Sequence, residues 1–550
     1  MKNIIKNSLL GLAIFMMVSC SDDFLERTPT DAISTNVALS SIENMELVLN
    51  GIHRGLFSQS QTVFPGGNTA RANNHYWVPL GDNLAGYLLH SASANNLSWR
   101  DAMQWNEHTI PTSLTVELMW YHRYNIIVHA NLIINAIENG NLTETPELFE
   151  VLGQAYTYRA YAYLELVQHF ARGYLIGNPA TDPGVPLLFA TEPPYSSAPR
   201  STVQQVYDQI EDDLDAALNA FSEGTGRTGN GPSAKSQLNE NVAHGIKARW
   251  ALSKGDWAQA SASAQAARQG FPLMGEEDWL SGFNSNNLSE VIWGSNVITE
   301  ETTFFRSYFY LASNTFNGSQ IRNNPKFADR RLVDAIPATD YRRKVFLPDA
   351  PNSNTSAANG EGGWANNTNP LYTTEEEFTN AIADIKAEYG LVSGHNVHPY
   401  MHFKLKQKNP GTIDPDDVIY MRSSEMYLIE AEAEFMQNNF VEARAALLTL
   451  GGERDSDYTT RLAGILDADL MDEIKFQRRL ELWGEGFGYT DKIRWDEGID
   501  HAADGGSGAS EVLYQSAYQV DPPSINDDWI FKIPQKEIDA NPNLTGEDQN

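Results

Sequence analysis

The regular spacing of apolar residues limits this chain to a fold built mainly from α-helices. The clearest stripe has an apolar side chain at every third or fourth position and consists of Val203, Val206, Ile210, Leu214, Ala217 and Phe221. Such spacing places all of them on one face of a helix. Thr202 and Gln205 stand where a capping box would start that helix. A second stripe runs from Leu152 to Phe170, and a further long helix is predicted to end near Asn139.

Two of the predicted helix pairs share the same joint. In each, a turn is followed by an aromatic residue and, three positions later, by an alanine. The two copies are Lys254-Gly255-Asp256-Trp257-Ala258-Gln259-Ala260 and Gln437-Asn438-Asn439-Phe440-Val441-Glu442-Ala443. The ring wedges between the helices and the alanine lets their backbones approach, which resembles a tetratricopeptide repeat. Because the copies lie 183 residues apart, we expect an interrupted array rather than a continuous solenoid.

The segments between the helices have a different composition. Residues 60–112 and 272–415 carry Gly, Asn, Pro, Thr and aromatic residues with little periodicity, whereas the predicted helices lie mainly in 113–270 and 416–500. Long irregular segments in compact domains usually serve a function. We therefore predict a mainly α fold, a helix-pair scaffold with an irregular, loop-rich lobe that contains a few short strands and carries the ligand. The alternative is that these segments only cover the surface.

The N-terminus has the pattern of a bacterial lipoprotein signal. Lys2 and Lys6 precede an apolar run from Leu9 to Val18, and Cys20 follows a small residue. The run is about ten residues, too short to span a bilayer, which takes about 20. The prediction is a signal peptide over 1–19, a lipid on Cys20, a surface tether over 20–30 and one domain over 31–550. An ordinary secretory signal with an incidental cysteine is the alternative.

Charge and cysteine content exclude several classes of protein. The chain has 39 basic and 71 acidic residues, so it lacks the basic footprint that nucleic-acid binding requires. Its single cysteine excludes an intramolecular disulfide and any cysteine-rich metal site. With 41% hydrophobic residues, the chain can still bury a large core.

No catalytic or cofactor motif stands in the context that it needs. Gly224-x-Gly226-x-x-Gly229 has the letters of a dinucleotide-binding loop but follows a predicted helix instead of a strand. His395, His398 and His402 form the only dense histidine cluster, and a polar loop or strand is favoured there over a metal site. The charged run at 478–483 is predicted to form internal salt bridges. We therefore expect no metal, no cofactor and no catalytic residue.

Several segments, in the same order over about 520 residues, together resemble the SusD/RagB family of surface lipoproteins for nutrient uptake. They are Cys20 to Thr30, Trp120 to Asn131, Ala155 to Phe170, Gly184 to Leu187, Arg200 to Tyr207, Arg478 to Gly486, Asp491, Arg494-Trp495 and Ile533 to Asn543. The acidic residues directly after Cys20 are similar to the export signal of that family.

The resemblance implies a non-enzymatic binding protein with four tetratricopeptide-like helix pairs. Members of the family cap a SusC-like TonB-dependent transporter in the outer membrane, face the cell exterior and deliver oligosaccharides to it. Some members bind peptides instead, and this alternative stays open here. A secreted glycoside hydrolase is a more remote alternative, because a pair of catalytic carboxylates cannot be recognised without geometry.

Candidate ligand-binding residues come from the two irregular segments, since a sugar-binding site needs aromatic faces and fixed polar groups. The segment before the Trp120 helix offers Trp77, Asn83, Trp99 and Arg100, and the segment after residues 290–293 offers Tyr308, Tyr310 and Trp364. For each ring the alternative is packing in the core. We expect Trp120, Trp250, Trp257 and Trp483, which lie in predicted helices, to be core residues.

Overall fold

The computed structural model describes residues 38–58, 74–90, 99–140, 142–189, 197–227, 229–301, 307–318, 322, 325–355, 362–500 and 519–550. The predicted signal peptide, Cys20 and the tether lie outside the described residues. Within the described part, no helix has the length and apolar character needed to cross a membrane.

Helices dominate the first half of the chain. In chain order they are α1 (Ile42–Gly55), α2 (Asn74–Leu84), α3 (Trp99–Met103), α4 (Leu114–Glu138), α5 (Pro146–Phe170), α6 (Val203–Glu223), α7 (Pro232–Lys235), α8 (Glu240–Lys254) and α9 (Trp257–Ala267). The predicted capping box is confirmed, because the Thr202 hydroxyl accepts from the Gln205 N–H and the Gln205 side chain accepts from the Thr202 N–H. All six residues of the predicted stripe on α6 are buried.

The second half begins with short helices and ends with longer ones. They are α10 (Glu276–Trp279), α11 (Tyr308–Ala312), α12 (Arg330–Asp334), α13 (Glu375–Glu388), α14 (Ser423–Met436), α15 (Phe440–Arg454), α16 (Tyr458–Gly464), α17 (Leu470–Glu481), α18 (Gly488–Trp495) and α19 (Gln535–Ala540). Helix α13 buries only Phe378, and the rest of its surface is polar or half-exposed. It therefore has no apolar stripe, which explains why its segment shows little periodicity in the sequence.

The long helices pack side by side into one array. Each of α4, α5, α6, α8, α9, α14 and α15 packs against the next, so α9 contacts α14 although a large insertion separates them in sequence. Both predicted joints turn through a residue in the left-handed region, Gly255 and Asn438. Ala260 and Ala443 are fully buried at the helix contacts. The predicted fold class, a mainly α scaffold of tetratricopeptide-like helix pairs, is confirmed.

The strands are short and lie mostly outside the array. They are β1 (Leu88–His90), β2 (Pro183–Pro186), β3 (Arg200–Thr202), β4 (Val291–Gly294), β5 (Lys326–Ala328), β6 (Phe346–Leu347), β7 (Met401–His402), β8 (Ile419–Arg422), β9 (Ile499–Asp500) and β10 (Gln519–Val520). Four of them form an antiparallel sheet in the order β1-β5-β7-β6, which we call the lobe sheet. Residues 420–422 lie in the range 416–500 that was expected to be mainly helical but belong to β8, which pairs with β4.

A cluster of buried charges joins the array to the lobe. This charged joint consists of four acidic and four basic residues, Glu290, Asp340, Arg342, Lys404, Arg422, Arg454, Glu481 and Glu485. Glu481, at the end of α17, is fully buried and forms ion pairs with Arg342, Arg422 and Arg454. The prediction that residues 478–483 form internal salt bridges is confirmed.

The position of Glu481 between three cations controls its ionisation. Burial alone would raise the pKa of this carboxyl group, but the guanidinium groups of Arg454, Arg422 and Arg342 hold it well below its usual range. Glu481 therefore stays charged at neutral pH and fixes segments from α15, α17 and the lobe to one another.

Candidate functional site

Two of the predicted binding residues lie on α2 and are buried. The Trp77 ring packs against Phe531 at a centroid distance of 6.2 Å, and the side chain is 7% exposed. The Asn83 amide donates to the Leu88 carbonyl oxygen at 3.1 Å. In this structure both side chains hold α2 in place, and Trp77 also lines a small cavity inside the protein.

Tyr308 and Tyr310 on α11 are buried as well. The Tyr308 hydroxyl donates to the carbonyl oxygen of Gly484 at 3.0 Å, which ties α11 to the loop after α17. The Tyr310 ring packs edge-on against Phe316 at 5.1 Å. Both side chains are 3% exposed, so they pack the base of the lobe.

The other three predicted residues have a different placement. Trp99 and Arg100 begin α3, and their side chains lie outside the described part of the structure. Trp364 begins a 3₁₀-helix, Trp364–Asn366, and is half-buried. Its ring lies 6.0 Å from Phe378 of α13. Of the five predicted residues whose side chains the structure describes, four are buried and Trp364 is the one whose ring is partly open.

An open cleft of about 380 Å³ lies in the same part of the lobe. It is lined by Ala338, Asp340, Arg343, Lys344, Phe346, Leu347, Pro348, Asp349, Ala350, Tyr372 and Ile385. We call it the lobe cleft. Its volume lies within the range of about 300–1,000 Å³ that is usual for small-molecule sites.

The lobe cleft has an apolar floor and a polar rim. Phe346 and Ala350 are buried, whereas Lys344 and Asp349 are exposed and Tyr372 is half-buried. The Tyr372 hydroxyl donates to the Asp349 carbonyl oxygen at 2.8 Å, and its ring lies edge-on to Phe378 at 5.8 Å. Burial and the nearby Asp349 carboxylate raise the pKa of Tyr372, so its phenol stays neutral.

Phe378 connects the cleft to the predicted residue Trp364. The rings of Tyr372 and Trp364 both contact Phe378, and both are half-buried. Amide side chains fix the loop between them: Asn367 donates to the Tyr372 carbonyl oxygen at 3.1 Å, and Asn369 donates to that of Asp349 at 3.1 Å. Two rings thus lie on a loop that hydrogen bonds hold beside the exposed residue Asp349.

The cleft is attached to the helical array by buried contacts. Asp340 lines the cleft and also pairs with Arg342 in the charged joint at 2.6 Å. Phe346 of β6 packs edge-on against Trp483 at 5.4 Å. A ligand in the cleft would therefore contact groups that the scaffold already holds in position.

The predicted histidine cluster lies in and beside the lobe sheet. His402 on β7 donates through Nε2 to the Ala312 carbonyl oxygen at 2.9 Å, and His395 contacts the carbonyl oxygen of Phe316 at 3.1 Å. Burial lowers the pKa of His398 to about 4 and that of His402 to about 3, so both are neutral at pH 7. Among the described residues, no group of three potential ligands is arranged to hold a metal ion.

Sequence reasoning missed the residues that line the cleft. Tyr372 precedes a capping box in which the Glu377 carboxylate accepts from the Thr374 N–H, and this start signal for α13 was the one local clue. Phe346 and Asp349 carry no such signal, because their place in the cleft depends on contacts with residues far away in sequence.

Comparison with known families identifies relatives over much of the chain. A family model described as "Starch-binding associating with outer membrane" matches residues 68–233, and one described as "SusD family" matches residues 300–550. SusD-like protein P38 of Formosa agariphila is 26% identical over 220 residues. That match spans 39% of this chain and 37% of the relative.

Solved structures of SusD superfamily proteins share the fold. One from Bacteroides thetaiotaomicron has a TM-score of 0.68 at 22% identity and covers 93% of this chain and 99% of its own. Surface glycan-binding protein A of Bacteroides thetaiotaomicron, solved in complex with laminarihexaose, has a TM-score of 0.59 at 16% identity and covers 92% and 99%. At these identities the likeness shows a common fold.

Proposed function

Because the chain belongs to the SusD/RagB family, we propose that it is a cell-surface protein that binds oligosaccharides and delivers them to a SusC-like TonB-dependent transporter in the outer membrane. In this proposal it acts by binding and release and catalyses no reaction. The observation that carries it is the lobe cleft, whose lining residue Tyr372 contacts Phe378 as Trp364 does, on a fold shared with a surface glycan-binding protein.

The chemistry of the cleft suits a sugar. Sugar rings present flat C–H faces and many hydroxyl groups, so a binding protein needs partly exposed aromatic faces beside charged and polar groups. Tyr372 and Trp364 supply the faces, and Asp349 and Lys344 supply an exposed carboxylate and an exposed ammonium group. Stacking on a ring contributes about 1 kcal/mol beyond the buried area. Two rings and a few hydrogen bonds give weak binding, which suits a protein that must release its cargo.

Localisation and partner belong to the same proposal. We expect residues 1–19 to be removed as a signal peptide, Cys20 to carry the lipid, and residues 20–30 to tether the domain over 31–550 to the outside of the outer membrane. Trp99 and Arg100 stay sequence-based predictions for the ligand site, because they lie in the segment that the family resemblance points to.

The test is calorimetric titration of the purified protein with laminarihexaose, maltoheptaose, cellohexaose and a peptide pool. We expect one class of oligosaccharide to bind. Trp364→Ala and Tyr372→Ala should each weaken that binding by about 1–3 kcal/mol, the scale measured for bases that stack on aromatic side chains. Trp99→Ala tests the sequence-based prediction in the same way.

The matched control is Trp257→Ala, which removes a half-buried tryptophan of the array. It should leave the affinity unchanged. If Trp364→Ala and Tyr372→Ala bind oligosaccharide as tightly as the unchanged protein, the lobe cleft is not the site. Two further results would change the proposal in other ways. If only peptides bind, the protein carries the alternative cargo. Turnover of a bound oligosaccharide by the pure protein would contradict the non-enzymatic role.

The anchor has its own test in the cells that produce the protein. We expect Cys20→Ala to move the protein from the outer-membrane fraction to a soluble fraction, because the thiol is the proposed point of lipid attachment. Ser21→Ala, next to the cysteine, is the control and should stay with the membrane. Retention of Cys20→Ala in the outer membrane would show that the tether lies elsewhere.

A further inference from the structure

A second cavity, of about 110 Å³, lies inside the helical array. It is bounded by residues of α2, α4, α5, α8, α17 and α18 and of strands β4 and β8, and it shares no lining residue with the lobe cleft. Half-buried residues such as Gln168 and Thr490 form its rim, and buried residues such as Arg123, Trp293 and Arg478 form its inner wall. We call it the interior cavity.

Three buried N–H donors on the inner wall have no protein acceptor in the described part of the chain. They are Nε of Arg123, Nε1 of Trp293 and Nη1 of Arg478. The exposed fraction of these residues is 0%, 0% and 3%. A buried donor without an acceptor costs about 1–3 kcal/mol, so three around one cavity call for a ligand that accepts hydrogen bonds.

Other contacts hold the two arginines in place. Arg123 donates from Nη2 to the Asn74 Oδ1 atom at 2.9 Å, and Arg478 donates from Nε to Asp491 at 2.6 Å. The Trp293 ring packs edge-on against Tyr161 at 5.3 Å and against Tyr420 at 4.9 Å. The free donors therefore cannot turn away to find acceptors elsewhere.

The carboxylates at the cavity are largely committed to other cations. Asp491 pairs with Arg478 and Arg494, and Glu485 pairs with Lys404 and Arg422. Arg249 is matched by Glu425, a residue outside the lining.

Arg123 is the least compensated cation of the wall. Its Nη2 lies 3.5 Å from Glu165, whose side chain is 24% exposed. Its Nη1 contacts Nδ1 of His122, and burial lowers the pKa of His122 to about 3, so this partner is neutral. The cavity thus combines unused donors with a buried guanidinium group whose one ion pair is long and partly exposed.

We propose that the interior cavity is a binding site for one compact oxyanion, such as a carboxylate or phosphate group. Guanidinium groups match the geometry of such oxygen atoms, and an indole N–H adds a fixed donor. The volume has room for a few water molecules or one small ion. It is well below the range of about 300–1,000 Å³ of sites for larger molecules, which excludes an oligosaccharide.

The test uses sodium selenate, a compact oxyanion that can be located by anomalous diffraction. Thermal unfolding of the purified full chain is followed at pH 7.5 while selenate replaces sodium gluconate at constant ionic strength. We expect a saturable rise in Tm with selenate, because a ligand that binds only the folded state stabilises it. We also expect an anomalous peak inside the cavity in crystals grown with selenate.

Two variants remove donors or alter their geometry with little change of shape. Trp293→Phe deletes the indole N–H, and Arg123→Lys keeps the charge but removes Nε. We expect each to weaken the apparent selenate affinity at least tenfold. The matched control is Trp250→Phe, a fully buried tryptophan outside the cavity whose N–H donates to the Tyr207 carbonyl oxygen at 3.0 Å. It should lower Tm but keep the selenate response.

Three results would overturn the proposal. One is a cavity that contains only ordered water in crystals grown with selenate. Another is an equal rise in Tm with selenate in the unchanged protein and in all three variants. The third is an anomalous peak without a saturable response in solution, which would mean binding at crystal concentration only. Oligosaccharide affinity should be the same in Trp293→Phe as in the unchanged protein, so this test and that of the lobe cleft fail independently.

Discussion

The charged joint and the lobe sheet both bury ionisable side chains, but they compensate them in opposite ways. In the joint, four basic groups meet four acidic ones, and Arg422 alone contacts Glu290, Glu481 and Glu485. In the lobe sheet, Lys326 on β5 is fully buried and donates to one carbonyl oxygen, that of Ser313, at 3.0 Å. Within the described residues no carboxylate pairs with it.

The pKa values follow this difference. Burial lowers the pKa of Lys326 to about 7, and its neighbour His402 is neutral for the same reason. In the joint, by contrast, the surrounding cations override the effect of burial and hold the pKa of Glu485 below its usual range. The joint thus depends on keeping its charges, whereas the sheet depends on groups that lose theirs.

Glu481→Gln should produce the largest effect, because it removes the acid that three arginines share. The change keeps the size of the side chain but leaves Arg342, Arg422 and Arg454 with too few negative partners. Breaking a buried ion pair in this way costs about 3–5 kcal/mol. We expect a loss of that size in the free energy of unfolding, measured by chemical denaturation at pH 7.

Glu276→Gln is the control for this prediction. Glu276 pairs with Lys344 at the surface, where the two side chains are 47% and 63% exposed. Exposed pairs contribute about 0–1 kcal/mol, so the variant should unfold almost like the unchanged protein. Similar losses in both variants would mean that burial of the joint has no special energetic role.

Gly81→Ala should have the next largest effect. It tests whether close backbone packing, as well as charge, attaches α2 to the loop after α17, beside the charged joint. Gly81 lies in α2, and a Cβ atom built on it would overlap the carbonyl oxygen of Gly486 and lie 3.0 Å from its carbonyl carbon. The Gly486 N–H also donates to Asp82 of α2 at 2.9 Å. Overpacking costs about 1–3 kcal/mol. We expect that loss of stability in thermal or chemical unfolding.

Gly51→Ala makes the same change in α1, where a Cβ atom would meet nothing within 4 Å. Alanine is favoured over glycine inside a helix by about 1 kcal/mol. The control should therefore be neutral or slightly more stable, opposite in sign to Gly81→Ala. If both variants change the free energy of unfolding equally, the close approach of α2 to Gly486 does not determine stability.

The same two regions show how far sequence reasoning reaches. Helix α6 and its cap at Thr202 were predicted closely because the signal is local: one apolar face, repeated every three or four residues. Even the salt bridges of 478–483 were predicted, since charged residues at apolar helix positions need partners. The partners themselves, such as Arg342 and Arg454, were not predictable, because the fold brings them from distant segments.

The lobe was harder for a physical reason. Helix α11 is covered on every side, so Tyr308 and Tyr310 show no stripe and resemble residues of an open loop. The lobe cleft combines residues 338–350 with Tyr372 and Ile385, a set that no spacing in the sequence marks. Trp364 lies in an irregular segment where no helical stripe needs its ring, and the structure leaves that ring half-buried.

The last prediction has the smallest expected effect. Replacing a buried lysine should stabilise the protein in the lobe sheet and destabilise it in the charged joint. Lys326→Met should raise the free energy of unfolding by about 1 kcal/mol at pH 6, because it replaces a buried ammonium group that has no carboxylate partner among the described residues with an apolar side chain of similar length. In the unchanged protein the pKa of Lys326 is about 7 when folded, against an ordinary value of 10.5. Between these values the folded state binds fewer protons than the unfolded state, so stability rises with pH.

Denaturation curves of Lys326→Met and of the unchanged protein, recorded from pH 6 to pH 10, measure the difference in their free energies of unfolding. This difference should be largest near pH 6 and should shrink as the pH rises through 7 towards 10. Lys404→Met is the matched change in the joint. It removes the ammonium group that pairs with the Glu485 carboxylate at 2.6 Å and so leaves a buried carboxylate with one cation fewer. It should destabilise the protein at every pH in this range, because removing one partner of a buried pair is costly. If Lys326→Met also destabilises, or if its effect does not change with pH, then Lys326 is compensated in solution and the contrast between sheet and joint fails.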